Sequence, residues 1–467
     1  MVENTREIIL DTLLALEREE TFSHKLMKAV LDKYNYLDGR DKAFIKRVTE
    51  GTIERQLELD YYLNYYSTVT VRKMKPLIRC LLRMSAYQLL YMDSVPDSAV
   101  CNEACKLAAK RKFHNLKGFV NGVLRNIAKN KNNLPLPDEG NVAEYLSVRY
   151  SMPEWLVECF LEEYGKEITA TLLEGMLQIH PVSIRFRENL DESERVKLLS
   201  DIRATGAEIR QGTYLTNVYT IENVEGVDNL PGFAEGRFTV QDVSSVLAVL
   251  AADIKEGDFV MDICAAPGGK SILAAEKASK VLARDVSDSK VDLIKENVER
   301  MQLANIEVEV FDATVADERY TEAADVVIMD VPCSGLGVMG KKRDIKYHVT
   351  PESLKSITTL QKQIVGHSWQ YVKPGGILLY STCTINPAEN EEMVRWIVEN
   401  FPFEAESLDG VLPQELLAQR REVEQKRKVH SGQTAVESEE RLQEAYIQLL
   451  PGYMEADGFF FARLRRK

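Results

Sequence analysis

From about residue 238 onward the chain alternates short apolar runs with amphipathic stretches, and no other feature constrains its fold so tightly. The runs are "FVMDIC" (259–264), "KVLARDV" (280–286), "IEVEVFDA" (306–313), "DVVIMDVP" (325–332), "GILLYSTC" (376–383) and finally "FFFARL" (459–464). Between most of them lie stretches of helical spacing such as "KVDLIKENVERMQL" (290–303). Alternation of this kind builds a parallel sheet covered by helices on both faces, with ligands bound beyond the carboxyl ends of the strands. Residues 238–467 are therefore expected to form an α/β domain of Rossmann-like type.

The rest of the chain follows other patterns. From 1 to about 133 the periodic segments are helical. In "RCLLRMSAYQLLYM" (79–92) the apolar residues Leu81, Leu82, Met84, Leu89 and Leu90 recur at helical intervals, which predicts an all-α domain. "NNLPLPDEGN" (132–141) breaks the pattern with two prolines and a glycine and reads as a linker. Residues 141–237 mix helix with the extended runs "VSIRFR", "AEIRQG" and "VYTIEN", a small α+β module. The charged stretch 414–446 reads as a solvated or partly disordered insertion before the last strand.

Composition sets the outer bounds. A chain of 467 residues, 45% hydrophobic, can build two or three cores. Its 59 Lys and Arg stand against 72 Asp and Glu, a net charge of −13, which argues against a generic nucleic-acid coat; any such contact must be local. The seven cysteines, at 80, 101, 105, 159, 264, 333 and 383, form no C-x-x-C pair, which argues for a reducing compartment and against a disulfide framework or a zinc site. The opening "MVENTREIILDTLLALEREE" carries acids within its apolar stretch, so it reads as an amphipathic helix and not a signal peptide. A cytoplasmic protein, with no membrane partner, no metal, and acting as a monomer, is the expectation.

The stretch "VMDICAAPGGKSILAAE" (260–276) poses the sharpest chemical question. A phosphate loop has the form Gly-x-x-x-x-Gly-Lys-Ser, but Cys264 stands where the first glycine belongs. Four acids, Asp262, Asp285, Asp312 and Asp330, sit at or just after successive strand ends. Such a cluster repels a triphosphate and welcomes a cationic, phosphate-free nucleoside. S-adenosyl-L-methionine is such a ligand: Asp285 suits its ribose diol, Asp312 its adenine amino group, and the Gly268-Gly269 turn allows close approach to its amino-acid part.

Two cysteines, Cys333 in "DVPCSG" and Cys383 in "STCTINPAENE", lie at the ends of two different strands. After Cys383, Asn386 reads as an N-cap, Pro387 as the first helical residue and Glu389 as the capping-box partner, and a helix N-terminus nearby would favour a thiolate. Methyl transfer with a thiolate has one prominent use, because C5 of a pyrimidine is too weak a nucleophile unaided. Thiolate attack at C6 makes an enamine that can accept a methyl at C5. Asp330 could hold the ring at N3 and its exocyclic amine. Which thiol attacks is left open by spacing alone. Arg284, charged where an apolar residue is usual, has no local explanation.

"DICAAPGGK", "DVPCSG" and "STCTINPAENE" resemble the motifs of RNA cytosine-5 methyltransferases, and "FTVQDVSSVLA" resembles the segment preceding their cofactor loop. "RCLLRMSAYQLLYMDSVPDSAVCNEACKLAAK" with "FVNGVLRNI" resembles the NusB-type helical RNA-binding fold. The combination is similar to the bacterial 16S rRNA cytosine-5 methyltransferases of the Sun/Fmu type over nearly the whole chain. That resemblance implies a class I methyltransferase domain acting on 16S rRNA or an assembling small ribosomal subunit. It implies Cys383 as nucleophile, Cys333 as the group assisting product release, and cofactor contacts at Cys264, Ala265, Ala266, Pro267, Gly268, Gly269, Lys270, Asp285, Asp312 and Asp330.

RNA contacts are expected where basic residues concentrate. Residues 101–133 hold Lys106, Lys110, Arg111, Lys112, Lys117, Arg125, Lys129 and Lys131 against the single acid Glu103, a net of +7. A second set, Lys341, Lys342 and Arg343 in "GKKRDIK", follows the Pro-Cys motif and is expected at the mouth of the site, where phosphate contacts position a strand without reading it. An ATP-dependent phosphate-loop protein, an inactive NusB-like scaffold and a thiol hydrolase are the competing readings.

Overall fold

The computed structural model describes every residue except 1–3, 19–21, 179–180, 225 and 432–436. The chain divides into two compact units, one comprising 1–173 with 341–348, the other 174–340 with 349–467.

The first unit is helical. Pro76–Tyr91 lies at its centre: Ile78, Leu81, Leu82, Met84 and Leu89 are all buried, and proline occupies the first turn, where no amide partner is lost. Thr5–Arg18, Gly39–Glu54, Gln56–Tyr66, Asp97–Lys110 and Lys117–Asn130 contribute to the same core. Charge enters that core as well. Arg83 is 8% exposed, and its guanidinium is forked onto Asp60 at 2.7 and 2.6 Å and reaches Glu17 at 2.9 Å. Residues 132–141 contain neither helix nor strand, as two prolines require.

Residues 341–348, which carry Lys341, Lys342 and Arg343, group with this helical unit although they follow the Pro-Cys motif in the chain. Lys341 and Lys342 are exposed, whereas the residues that follow turn inward: Ile345 is buried and Tyr347 packs partly buried against the helical core. Lys346 is buried as well; its ammonium donates to the carbonyls of Glu54 at 2.7 Å and Ser151 at 2.6 Å, and burial pulls it well below the ordinary lysine range. Arg343 pairs with Glu50 and Glu54.

The second unit holds two sheets. The smaller contains β1 (Val182–Phe186), β2 (Glu208–Gln211), β3 (Val218–Glu222) and β4 (Phe238–Val240), antiparallel in the order β2-β3-β1-β4. Helix Glu192–Ala204, started by a capping box between Asp191 and Glu194, lays Leu198 and Ile202 on Ile184, Phe186 and Phe238. A boundary at 237 falls inside this sheet.

The larger sheet comprises β5 (Phe259–Asp262), β6 (Lys280–Asp285), β7 (Ile306–Val310), β8 (Ala324–Asp330), β9 (Val372–Thr382), β10 (Phe403–Ala405), β11 (Tyr446–Leu449) and β12 (Phe459–Arg466). Its order is β10-β12-β9-β8-β5-β6-β7, with β11 also paired to β12. The five strands from β7 to β9 are parallel, as expected of a Rossmann-like sheet, and β12 adds to it antiparallel to β9. A strand covered on both faces needs no alternation, and β8, "ADVVIMD", shows none.

Helix Gln414–Ser431 corrects the reading of 414–446 as a solvated insertion. Leu416, Arg420 and Val423 recur at helical spacing and are buried, and Gln419 accepts a hydrogen bond from Tyr214 at 2.6 Å. The high charge of the stretch conceals this stripe, because arginine can bury its stem. The part of that reading covering 432–436 lies outside the described residues. Among the described residues no helix is long and apolar enough to cross a membrane, and no group of three or more His, Cys, Asp and Glu is placed to hold a metal ion.

Candidate active site

Asp262, Asp285 and Asp330 are the last residues of β5, β6 and β8, so the parallel sheet delivers all three carboxylates to one edge. Asp262 is fully buried beneath the loop that follows β5. It accepts a hydrogen bond from Ser271 at 2.6 Å, its second oxygen has no partner, and burial pushes its carboxyl up to about 7.

Three of the loop's amides are already engaged. Ala265 N donates to Arg284 O at 2.8 Å, Ala266 N to Asp285 at 3.0 Å and Gly268 N to Ala265 O at 2.6 Å. Gly268 turns the chain with φ +103°, a conformation that excludes most side chains, and helix Gly269–Ala275 begins there, its first carbonyl accepting from Gln241. Lys270 reaches away from the loop to Asp330 at 2.7 Å and Ser245 at 3.2 Å. A phosphate loop presents its amides and its lysine to the anion; here three of the amides and the lysine are bonded within the protein, which argues against the triphosphate reading. Burial, reinforced by the neighbouring carboxylates of Asp262, Asp285 and Asp330, pushes the Cys264 thiol far up, so it remains protonated.

A cavity of about 260 Å³ opens beside the loop, lined among others by Cys264, Ala266, Asp285, Phe311, Asp312 and Ile364. Asp285 accepts from Ala266 N, from Val286 N at 2.8 Å and from Lys290 at 2.9 Å. Asp312 is exposed just past β7; hydrogen bonds from the Thr314 hydroxyl and amide hold its carboxyl below the usual range. Apolar walls, carboxylates at the rim and a lysine already paired fit a cationic nucleoside. Pro267 is exposed at the turn, its carbonyl accepting from Asn297.

Arg284 now has its explanation. Its guanidinium bonds Glu309 at 2.6 Å and Asp317 at 2.7 Å and lies over the rings of Phe311 and Tyr320, 4.3 and 4.7 Å from their centroids. The Arg319 hydrogen bond, with Arg284 beside it, holds the Asp317 carboxyl far below the usual range. An internal ion-pair network under the cavity wall accounts for a charge in the strand.

The register of β8 with β9 pairs Asp330 with Ser381. The two loops leaving these strands therefore start side by side, and they bring Cys333 Sγ to 3.1 Å from Cys383 Sγ. The hydrogen bond to Cys383, then burial, then the charges of Cys383 and Glu389 push the Cys333 thiol well up. Gly337 secures the same corner. Its amide donates to Cys383 O at 3.1 Å and its carbonyl accepts from Gly458 N at 2.9 Å, so close that an added Cβ would stand 1.8 Å from Gly458 O.

Asn386 is an N-cap and Pro387 the first helical residue, as expected, but of a short turn, Pro387–Glu389; Asn390 then leaves helical geometry, and the α-helix begins at Glu391. One expectation near Cys383 is corrected. Glu389 is not a capping partner. Its carboxylate is fully buried and engaged by Ser334, Gln361 and Asn386. Local pattern favoured the cap, whereas two of the partners, Ser334 and Gln361, lie 55 and 28 residues away. Ser245, Ser334, Gln361 and Lys290 were likewise invisible as site residues, since ordinary polar residues acquire a role only through neighbours brought by the fold.

Basic residues of the first unit are partly self-satisfied. Lys106 pairs with Glu103, Lys110 with Glu7, Arg111 with Glu7 and Asp11, and Lys131 with Asp97. Lys112, Lys117 and Arg125 are exposed and make no ion pair among the described residues.

Comparison with known proteins places this geometry. Residues 249–465 match the family described as 16S rRNA methyltransferase RsmB/F, and residues 3–129 match the NusB family. A probable ribosomal RNA small subunit methyltransferase B of Bacillus subtilis is 32% identical over 99% of this chain and 99% of its own length. The crystal structure of PH0851 has the same fold over 99% of both chains, with TM-score 0.75 and 24% identity. The structure of NSun6 from Pyrococcus horikoshii with SFG covers 67% of this chain at TM-score 0.53 and 18% identity. The cofactor is S-adenosylmethionine. A β-sheet edge built from three carboxylates, a closed Gly-Gly turn and two touching thiols, joined to a NusB-type region and matched end to end by such a relative, makes this chain a member of the RsmB/F family of methyltransferases.

Proposed function

We propose that the chain methylates C5 of a cytosine in 16S rRNA through a covalent bond between Cys383 and C6 of the base. The observation that carries this reading is the contact between the sulfurs of Cys333 and Cys383, beside a carboxylate at the end of β8. One thiol is a nucleophile; two in contact allow one to attack and the other to donate a proton or hydrogen bond. Cys333, pushed up by Cys383 and by burial, is the one that stays protonated, which favours Cys383 as the thiolate.

The target base must leave its stack to enter. Asp330 accepts from the exocyclic amine and orients the ring, with Lys270 and Ser381 fixing the carboxylate at 2.7 Å each. Cys383 then bonds to C6, and the ring becomes an enamine. Asp285, Asp312 and the turn at Gly268 would hold S-adenosylmethionine, whose sulfonium would supply the electrophilic methyl to C5 and leave as the neutral thioether S-adenosylhomocysteine. Loss of the C5 proton to solvent re-forms the double bond and expels Cys383 as thiolate, which the Cys333 S–H receives as a hydrogen-bond donor.

The substrate is free rRNA or an assembling small subunit, met by a monomer whose phosphate contacts include Lys112, Lys117 and Arg125. The family assignments support an rRNA substrate, as the relative's name does. Mass mapping of 16S rRNA from cells lacking the gene should show one 5-methylcytosine lost and restored by the intact gene. An unchanged 5-methylcytosine content would overturn the proposal.

A further inference from the structure

We infer that Glu389 is a positioning residue for the thiol pair: its buried carboxylate clamps the loop carrying Cys333 to the loop carrying Cys383 and so sets their 3.1 Å separation. One oxygen accepts from Ser334 N at 2.9 Å and Gln361 Nε2 at 3.1 Å. The other accepts from the Ser334 hydroxyl at 2.6 Å and Asn386 Nδ2 at 2.9 Å. Ser334 directly follows Cys333, and Asn386 lies three residues after Cys383. Gln361 extends the clamp, because the same amide nitrogen donates to Pro332 O at 2.9 Å, just before Cys333. Two acceptors fix that amide's orientation. The hydroxyls of Ser334 and Thr384, each the residue after a cysteine, close the bridge at 2.7 Å.

A carboxylate without solvent contact is costly unless several donors satisfy it, and here N–H donors reach both oxygens. None of its side-chain bonds goes to the helix at Glu391–Asn400, so capping does not explain its burial. The donors instead converge from either side of the two thiols. The negative charge beside Cys333 also favours the protonated thiol. The consequence for catalysis rests on the division of labour proposed above; the clamp itself does not.

The test uses the full chain with Glu389→Gln and Glu389→Asp. Hydrogen peroxide converts two thiols to a disulfide with release of two waters, and the rate of the Cys333–Cys383 linkage is read from the linked peptide by mass spectrometry. Glu389→Gln presents its amide to N–H donors and should slow linkage at least tenfold, with Glu389→Asp partly restoring it and cofactor affinity unchanged. Loss of a neighbouring negative charge alone would make the thiols more acidic and linkage faster, so slowing reports geometry. A rate equal to or above the parent's overturns the clamp. If Glu389→Gln does not fold, Ser334→Ala should slow linkage about threefold, and a parent-like rate overturns the inference equally.

With cofactor and unmodified rRNA, Glu389→Gln should also accumulate the Cys383-linked protein-RNA species expected of Cys333→Ala. Trapping by Cys333→Ala but not by Glu389→Gln overturns the positioning role. Trapping by neither, with linkage slowed, leaves the clamp supported and overturns the thiol assignment instead.

Discussion

The ammonium of Lys270 stands 2.7 Å from Asp330, its stem nearly buried while the carboxylate retains partial access to solvent. Burial works to lower the Lys270 ammonium, but the Asp330 carboxylate outweighs it and holds the group above the ordinary lysine value. The pair ties the helix after the cofactor loop to the end of β8, and Ser381 brings in β9. Asp330→Ala should strand a buried charge and cost about 1–3 kcal/mol, less than a fully buried pair because the carboxylate is partly solvated. Lys270→Met in the same background should recover most of that loss. Urea unfolding of both singles and the double variant measures it, and additive losses would show the pair to be uncoupled.

Asp285 holds Ala266 N, Val286 N and Lys290 while facing the cavity. Asp285→Ala should weaken S-adenosylmethionine binding by about 1.5–3 kcal/mol, the value of a charged hydrogen bond. Calorimetry that returns the parent affinity would remove Asp285 from the cofactor site.

Asp262 predicts a pH dependence of stability. Its folded carboxyl, pushed up to about 7 by burial, lies above the ordinary value of 3.8. Between these values the folded chain holds a proton that the unfolded chain has released, so stability falls as pH rises through the interval and the loss is complete above 7. Asp262→Asn cannot ionise. Relative to the parent it should gain on the order of a few kcal/mol between pH 4 and pH 8. Thermal unfolding curves that stay parallel across this range would contradict the assignment.

Lys112, Lys117 and Arg125 are, with Lys129, exposed basic residues of 101–133 open to phosphate, whereas Lys110 and Arg111 are already committed to Glu7 and Asp11. Charge reversal at all three should weaken RNA binding and reduce the slope of log affinity against log salt by about 0.7–0.9 per lost contact. Cofactor affinity should not move. A slope equal to the parent's would place the RNA elsewhere.

How far the sequence leads differs from residue to residue. Asp262, Asp285 and Asp330 are legible because each closes an apolar run, and a parallel sheet must place such ends together. The contact between Cys333 and Cys383 is not, because it depends on β8 and β9 being neighbours in a register that pairs Asp330 with Ser381. Glu389 matches a local capping pattern, and local patterns say nothing of partners such as Ser334. The basic run at 341–343 has the composition of a surface patch and Lys341 and Lys342 are exposed, but the burial of Lys346 three residues on was not legible, because it depends on the carbonyls of Glu54 and Ser151. Arg284 looked anomalous only until Glu309 and Asp317 stood beside it.

The central claim is that Cys383 forms the bond to C6 and Cys333 acts at release. Denaturing electrophoresis of Cys383→Ala, Cys333→Ala and the double variant, each incubated with S-adenosylmethionine and unmodified 16S rRNA, tests it directly. Cys333→Ala should accumulate a covalent protein-RNA species, while Cys383→Ala and the double variant should give none and form no product. A trapped species with Cys383→Ala and none with Cys333→Ala would contradict the assignment and reverse the roles of the two thiols.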